Sequence, residues 1–356
     1  MKHEVVSFPH LGDYYAPIEM LLKRLLKVEV RKAPMITQKT IELGTKYSPD
    51  FVCIPFKYNL GNFIEALEQG STILLQAGGG CRYGYYAEVQ EQILKDLGYH
   101  FKFYALFDQK HFIPFYLYRT LRKINPHLCF LKYAYTALLA LKMIQDMDLI
   151  DIDIRKNIGF EQEEGSFETL KKKMLQDFSK VRSFSKLSFL YHRYKRKFRK
   201  IAIHKPKHCL KVGIIGELYT SMEPFANYFM EKELARMGIE VRRFTNLSYL
   251  LWQKKREKKR LLKKIPEYCK YTLGADGMDN VARCKILIDE GYDGIIHIKP
   301  FGCTPEIGAL PIIQKVCSDY KMPIIYFSFD SNTSEVGIKT RLEAFYDMLK
   351  MRKEGI

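Results

Sequence analysis

The sequence predicts an α/β protein: two doubly wound domains, each built on a parallel sheet, with a helical domain inserted between them. Three observations carry this reading. Short apolar runs alternate with helical patterns through the first third of the chain and again after Leu210, as expected for parallel strands covered on both faces. From about Ile113 to Lys205 the chain has almost no glycine and keeps helical spacing of its apolar residues, so this stretch reads as long helices. With 356 residues, the chain exceeds one ordinary core, and two or three domains are expected.

In the first domain (1–112) the candidate strands are EVVSF (4–8), VEVRK (28–32), DFVCIP (50–55), TILLQA (72–77) and FKFYALF (101–107). Between them YAPIEMLLKRLLK, TQKTIELGTKY, GNFIEALEQG and YAEVQEQILKDLGY carry helical periodicity. The helical domain (113–205) contributes FYLYRTLRKI, LKYAYTALLALKMIQDM and FETLKKKMLQDFSKVRSF. In the last domain (206–356) a buried strand LKVGIIGEL precedes the helix EPFANYFMEKELARMG and the strand IEVRRFT. DGIIHIKPF and MPIIYFSFD follow as strands, and TRLEAFYDMLKMRKEG closes the chain as a helix. Both α/β halves place a Pro-Phe pair near a cysteine (Pro55-Phe56, Pro300-Phe301), an echo that points weakly to duplicated folds of flavodoxin/Rossmann-like type.

Composition narrows the class. Hydrophobic residues make up 47% of the chain, enough to bury a sizeable interior and to exclude general disorder. The opening residues lack the apolar core of a signal peptide. YAYTALLAL, between Lys132 and Lys142, is far shorter than a bilayer span, so a cytoplasmic protein is expected. Eight cysteines then read as reduced thiols, some of them ligands.

The net charge of +18 concentrates in HRYKRKFRKIAIHKPKH (192–208) and QKKREKKRLLKK (253–264). Such blocks serve as solvated helix faces or docking surfaces, bind nucleic-acid backbones, or hold phosphate-bearing ligands. No zinc-finger, helix-turn-helix or aromatic RNA-binding signature accompanies them, and nucleic acid is not the favoured partner.

Three cysteines stand out. Cys53 in FVCIPF, Cys81 in LLQAGGGCRYG and Cys303 in IIHIKPFGCTPE each end an apolar run and precede a helical pattern. Strand ends of this kind form the ligand crevice of a parallel sheet. Helix N-termini there stabilise thiolates and an anionic cluster. The triple glycine Gly78-Gly79-Gly80 before Cys81 clears side chains where backbone must approach a ligand. Structural zinc would ask for close Cys-x-x-Cys pairs, which the chain lacks. Three thiolates fit a 4Fe-4S cluster with one iron left open. The plain alternative is three unrelated buried cysteines.

Four segments in order, PFKYNLGNFIEAL (55–67), AGGGCRYGYYAEVQ (77–90), GIIHIKPFGCTPEI (294–307) and FDSNTSEVGIKTRLEAF (329–345), resemble the 2-hydroxyacyl-CoA dehydratase family. The nearer likeness is to its stand-alone branch, the acyl-CoA dehydratase activase-related or CoA protein activase proteins. VGIIGELY and GADGMDNVARC are in keeping with it. The resemblance implies a 4Fe-4S cluster between the two α/β domains, held by Cys53, Cys81 and Cys303. It also implies a separate ATP-dependent iron-sulfur activase that delivers a low-potential electron, and a place in anaerobic metabolism. Lys57, Arg82, Glu306, Asp330, Glu335 and Arg341 fall within the matching motifs as groups that would orient ligands or tune the cluster. For each, a salt bridge or helix cap is an equal reading, and Glu217 in GELY reads as a helix N-terminal carboxylate.

The chain departs from the family in four ways. It has no Walker pattern, it lacks the activase's ATPase domain, it is one chain where dehydratases of this family work as two different subunits, and it offers no distinct coenzyme A motif. If it is an enzyme, it is a lyase or reductase related to these dehydratases, with an acyl-CoA substrate and a homodimer left open. The other readings are a non-enzymatic cluster-holding accessory or electron-transfer protein, and a basic α/β nucleic-acid-binding protein.

Overall fold

The computed structural model describes residues 4–78, 81–106 and 113–355. Its contacts divide the chain into two compact units: residues up to Ile144 with Leu175–Leu190, and Gln145–Met174 with Tyr191–Ile356.

The first unit holds β1 (Val5–Ser7), α1 (Tyr15–Leu25), β2 (Glu29–Val30), α2 (Gln38–Tyr47), α3 (Ile54–Glu68), β3 (Ile73–Gln76), α4 (Tyr86–Asp96) and β4 (Lys102–Ala105). Its sheet runs β2-β1-β3-β4 with every pair parallel. Successive strand residues face opposite sides. Ile73 and Leu75 accordingly join Val6, Leu22 and Leu25 on one face, while Leu74 meets Phe56, Leu60 and Phe63 of α3 on the other.

The predicted strand over 50–55 is not formed: residues 50–53 turn, and α3 begins at Ile54. Pro55 sits in the first helical turn, where its missing N–H costs nothing and its fixed φ suits a helix. Residues Ile54–Leu67 of α3 are all buried. The crossing with α2 is tight enough that a Cβ on Gly44 would stand 1.9 Å from the Lys57 carbonyl oxygen, and one on Gly61 1.9 Å from that of Thr40. An element this enclosed shows no polar face, and its apolar start is indistinguishable from a strand by periodicity alone. Within the predicted triple glycine, Gly79 and Gly80 lie outside the described residues, as does Phe107 of the fifth predicted strand.

The stretch after β4 is helical as expected: α5 (Ile113–Ile124), α6 (Phe130–Arg155), α7 (Ser166–Phe178) and α8 (Phe184–Arg199). The predicted helix FETLKKKMLQDFSKVRSF ends at Phe178, and α8 starts afresh with the Ser183 hydroxyl accepting from the Lys186 amide. Serine competes well at such a start because its hydroxyl replaces a missing intrahelical partner.

The second sheet is built from β5 (Lys211–Gly216), β6 (Glu240–Arg243), β7 (Gly294–Pro300) and β8 (Ile324–Phe329), in the order β6-β5-β7-β8 and again wholly parallel. Its helices are α9 (Leu218–Met222), α10 (Met230–Arg236), α11 (Lys254–Leu262), α12 (Gly277–Asp289), α13 (Thr304–Asp319) and α14 (Glu335–Glu354). The helix expected over EPFANYFMEKELARMG is interrupted. Tyr228 and Phe229 both adopt left-handed backbone, with φ of 54° and 55°, so α10 starts only at Met230. Both sheets are therefore doubly wound with the same strand order, and each has its switch point between its first and third strands.

Candidate functional site

All three singled-out cysteines occupy the position just before a helix. Cys53 precedes α3, Cys81 precedes the 3-10 turn Arg82–Tyr85 that runs into α4, and Cys303 precedes α13. Only Cys81 and Cys303 follow a strand, since the run around Cys53 is a turn. None of the eight cysteines is in a disulfide. At a helix start the amide dipoles favour the thiolate over the thiol.

In the first unit Cys53 and Cys81 share an aromatic neighbourhood. The Cys53 sulfur contacts the Tyr86 hydroxyl. The Tyr86 ring packs on Tyr83 at 4.6 Å and edge-on against Phe56 at 4.9 Å. The Tyr83 amide donates to the Cys81 sulfur at 3.5 Å, and the Tyr83 hydroxyl accepts from Asn59 at 3.0 Å. Tyr83 and Tyr86 thus connect the two thiols. Lys57 lies buried on α3, and Arg82 is exposed.

In the second unit Cys303 follows β7 beside the switch point with β5. The tight passage is Gly216, whose φ of +143° only glycine adopts readily and whose Cβ would stand 1.8 Å from the Ile298 carbonyl oxygen. Behind it lies a buried polar network. Glu306, 1% exposed, accepts from His297 Nε2 at 2.7 Å and from Asn280 Nδ2 at 2.8 Å. Asn280 also donates to the Gly216 carbonyl, and its own oxygen accepts from Arg283 at 3.1 Å. Lys299 is buried beside Cys303: burial lowers its pKa, while the nearby Cys303 and Glu306 charges push it back up.

Glu217 caps α9 as the sequence suggested, its carboxylate accepting from the amides of Tyr219 and Thr220 at 3.0 and 2.9 Å and from the Thr220 hydroxyl at 2.8 Å. Burial nevertheless raises its pKa to about 7, and the charge of Asp276 adds to the rise against the three donors. Asp276 is itself paired with Lys254 at 2.5 Å.

The remaining motif residues hold the fold locally. Asp330 accepts from the Asn332 amide and the Thr333 hydroxyl in the turn after β8. Glu335 pairs with Lys339 one helical turn on, at 2.9 Å. Arg341 donates to the Tyr326 carbonyl at 2.7 Å and lies over the Phe327 ring at 4.5 Å. Sequence reasoning passed over His297, Lys299, Asn280 and Arg283. The last two lie three residues apart in GMDNVARC, a helical spacing of polar groups in a buried segment that signals a polar face turned inward.

Residues 253–349 match the family of the 2-hydroxyglutaryl-CoA dehydratase, D-component. Over that segment, about a quarter of the chain, the sequence is similar to this dehydratase family. The matched segment runs from α11 into α14 and includes Cys303, Glu306, Asp330, Glu335 and Arg341; Cys53, Cys81, Lys57 and Arg82 lie before it. No curated protein matches the chain. The relationship supports dehydratase-type chemistry. As to the metal, the local setting of each thiol suits an iron-sulfur ligand, but among the described residues no group of three or more His, Cys, Asp or Glu side chains is placed to hold a metal ion. Among those residues, too, no helix is long and apolar enough to cross a membrane.

Proposed function

We propose that this protein is an iron-sulfur relative of the 2-hydroxyacyl-CoA dehydratases. In this reading Cys53, Cys81 and Cys303 are cluster ligands, and an ATP-dependent activase is the electron donor. The observation that carries it is the repeated placement: three cysteines drawn from distant parts of the chain each begin a helix, and one of them lies within the family match beside a buried lysine. When bound, a 4Fe-4S cluster would supply a low-potential electron and an open iron for a 2-hydroxyacyl-CoA or a related substrate.

The chain's own residues have separable tasks under this reading. Lys299 offsets negative charge at Cys303. Glu306, fixed by His297 and Asn280, holds the first turn of α13 so that the Cys303 sulfur keeps its direction. Glu217, with its pKa raised to about 7, can carry a proton at neutral pH where an ordinary carboxylate cannot.

Anaerobic purification tests the reading. About four iron and four sulfide per chain are expected, with Cys303→Ala losing or converting the cluster and Cys129→Ala, on an exposed cysteine before α6, retaining it. A folded protein without iron, or equal losses from both variants, would sink the ligand assignment.

A further inference from the structure

Along β6, the outer strand of the second sheet, runs a cleft of about 620 Å³. That volume lies within the range of small-molecule sites. It extends from Lys211 and Glu240, where the strands begin, past the end of β6 to Asn246, and is closed on its other side by α11 and α12. Cys303 and Glu217 do not line it. Its walls carry eight basic side chains against three carboxylates.

Part of that charge is already answered. Arg242 pairs with Glu290, Arg243 with Glu231, and Arg155 with Glu231 and Asp151. Arg283 is different. It is 2% exposed and lies over the Tyr249 ring at 4.5 Å. One guanidinium nitrogen donates to Thr245 and Asn280 at 3.0 and 3.1 Å. Its other terminal nitrogen has no hydrogen-bond partner among the described residues, and neither does the buried Nε of Arg243 on the same wall. Arg283 forms no ion pair among those residues. A guanidinium stays charged at all working pH values, and burying one without a counter-charge costs several kcal/mol. Such a group is expected where an anion completes it.

We propose that this cleft binds a phosphate-bearing small molecule of nucleoside-diphosphate size, with Arg283 and Arg243 donating to phosphate oxygens. The planar fork of arginine matches phosphate geometry. Arg260 and Lys264 of the basic stretch line the outer part of the cleft and make no ion pair among the described residues, so they are placed to attract the ligand. Phe244 lies under Arg242 at 4.4 Å and under Arg283 at 5.5 Å, and Tyr292 under Arg242 at 6.0 Å, so the aromatic rings of this wall hold the guanidinium groups in place. This site needs no iron and stands or falls apart from the cluster reading.

The test is calorimetric titration of the full chain with adenosine diphosphate, inorganic pyrophosphate and adenosine at fixed ionic strength. Diphosphate should bind more tightly than pyrophosphate, and adenosine most weakly. Arg283→Met should weaken diphosphate binding roughly tenfold to hundredfold, the range for a lost charge-assisted hydrogen bond. Because Arg283 is buried, the exposed double substitution Arg260→Glu with Lys264→Glu provides a second arm. It should leave the circular dichroism spectrum unchanged, weaken binding about tenfold and flatten its salt dependence. The proposal is overturned if neither diphosphate nor pyrophosphate binds, or if the double variant binds as the parent does. It is equally overturned if a single-stranded oligonucleotide binds more tightly than the diphosphate and is insensitive to a folded Arg283→Met, since the stretch would then be a backbone-tracking surface.

Discussion

The two sheets share strand order and direction but differ in what lies around their switch points. In the first unit the strands are two to four residues long, and the buried polar side chains nearby are mostly amides and hydroxyls, Ser7, Gln76, Asn59, Asn62 and Gln90, with His10 and the α3 residues Lys57 and Glu65 the ionisable ones. In the second the strands are four to seven residues long, and the buried polar side chains include a cluster of ionisable types, His297, Lys299, Glu306 and Arg283. Close packing is also spent differently. Gly44 and Gly61 let two helices touch in the first unit, whereas Gly216 lets a strand end pass over its neighbour in the second. One topology thus supports an aromatic setting for Cys53 and Cys81, joined by Tyr83 and Tyr86, and a hydrogen-bonded network of ionisable groups behind Cys303. Chemistry in this protein follows local side chains and not the shared scaffold.

The sharpest way to break that contrast is to remove a polar group from each unit. Glu306→Leu strands His297 and Asn280 in the core and should cost about 3–5 kcal/mol in urea unfolding. Gln76→Leu removes an amide whose polar atoms have no partner among the described residues, and should change stability by less than about 1 kcal/mol or raise it. Equal losses would erase the distinction.

Next come the two close passages. Gly61→Ala and Gly216→Ala each drive a Cβ into a backbone oxygen and should cost about 2–3 kcal/mol. The chain has a single tryptophan, Trp252, in the second unit, so its fluorescence reports that unit while circular dichroism reports both. Gly216→Ala should move the fluorescence midpoint and Gly61→Ala only the dichroism. Coincident shifts from either variant would mean that the two units unfold as one.

The smallest expected effect concerns Glu217. Its folded pKa of about 7 lies above the unfolded value, so its protonated form is favoured by folding. Its stabilising contribution is full below the unfolded pKa near 4.5 and is lost as pH rises toward 7. Glu217→Gln should flatten that decline by about 1 kcal/mol, discounted for partial solvent access, while losing one capping acceptor at every pH. An unchanged pH profile of thermal unfolding would show that Glu217 does not titrate in this window.

Periodicity and composition were enough to determine the alternation of strands and helices, the helical stretch after β4, and the position of Cys81 and Cys303 after strands, because strand and helix impose different spacings on apolar residues. Glu217 was legible as a cap from its place after an apolar strand. The helical start at Cys53 was not, since an element buried on all sides carries no polar face to set its period. The break at Tyr228 and Phe229 has no local signature either, because neither residue favours left-handed backbone. Tertiary structure alone decided the rest: that Glu306 faces His297 and Asn280 instead of solvent, that Tyr83 and Tyr86 join Cys53 to Cys81, and that Arg283 lies buried on the wall of a cationic cleft. These depend on contacts between segments far apart in sequence, and no local pattern encodes which distant side chain will meet a buried charge.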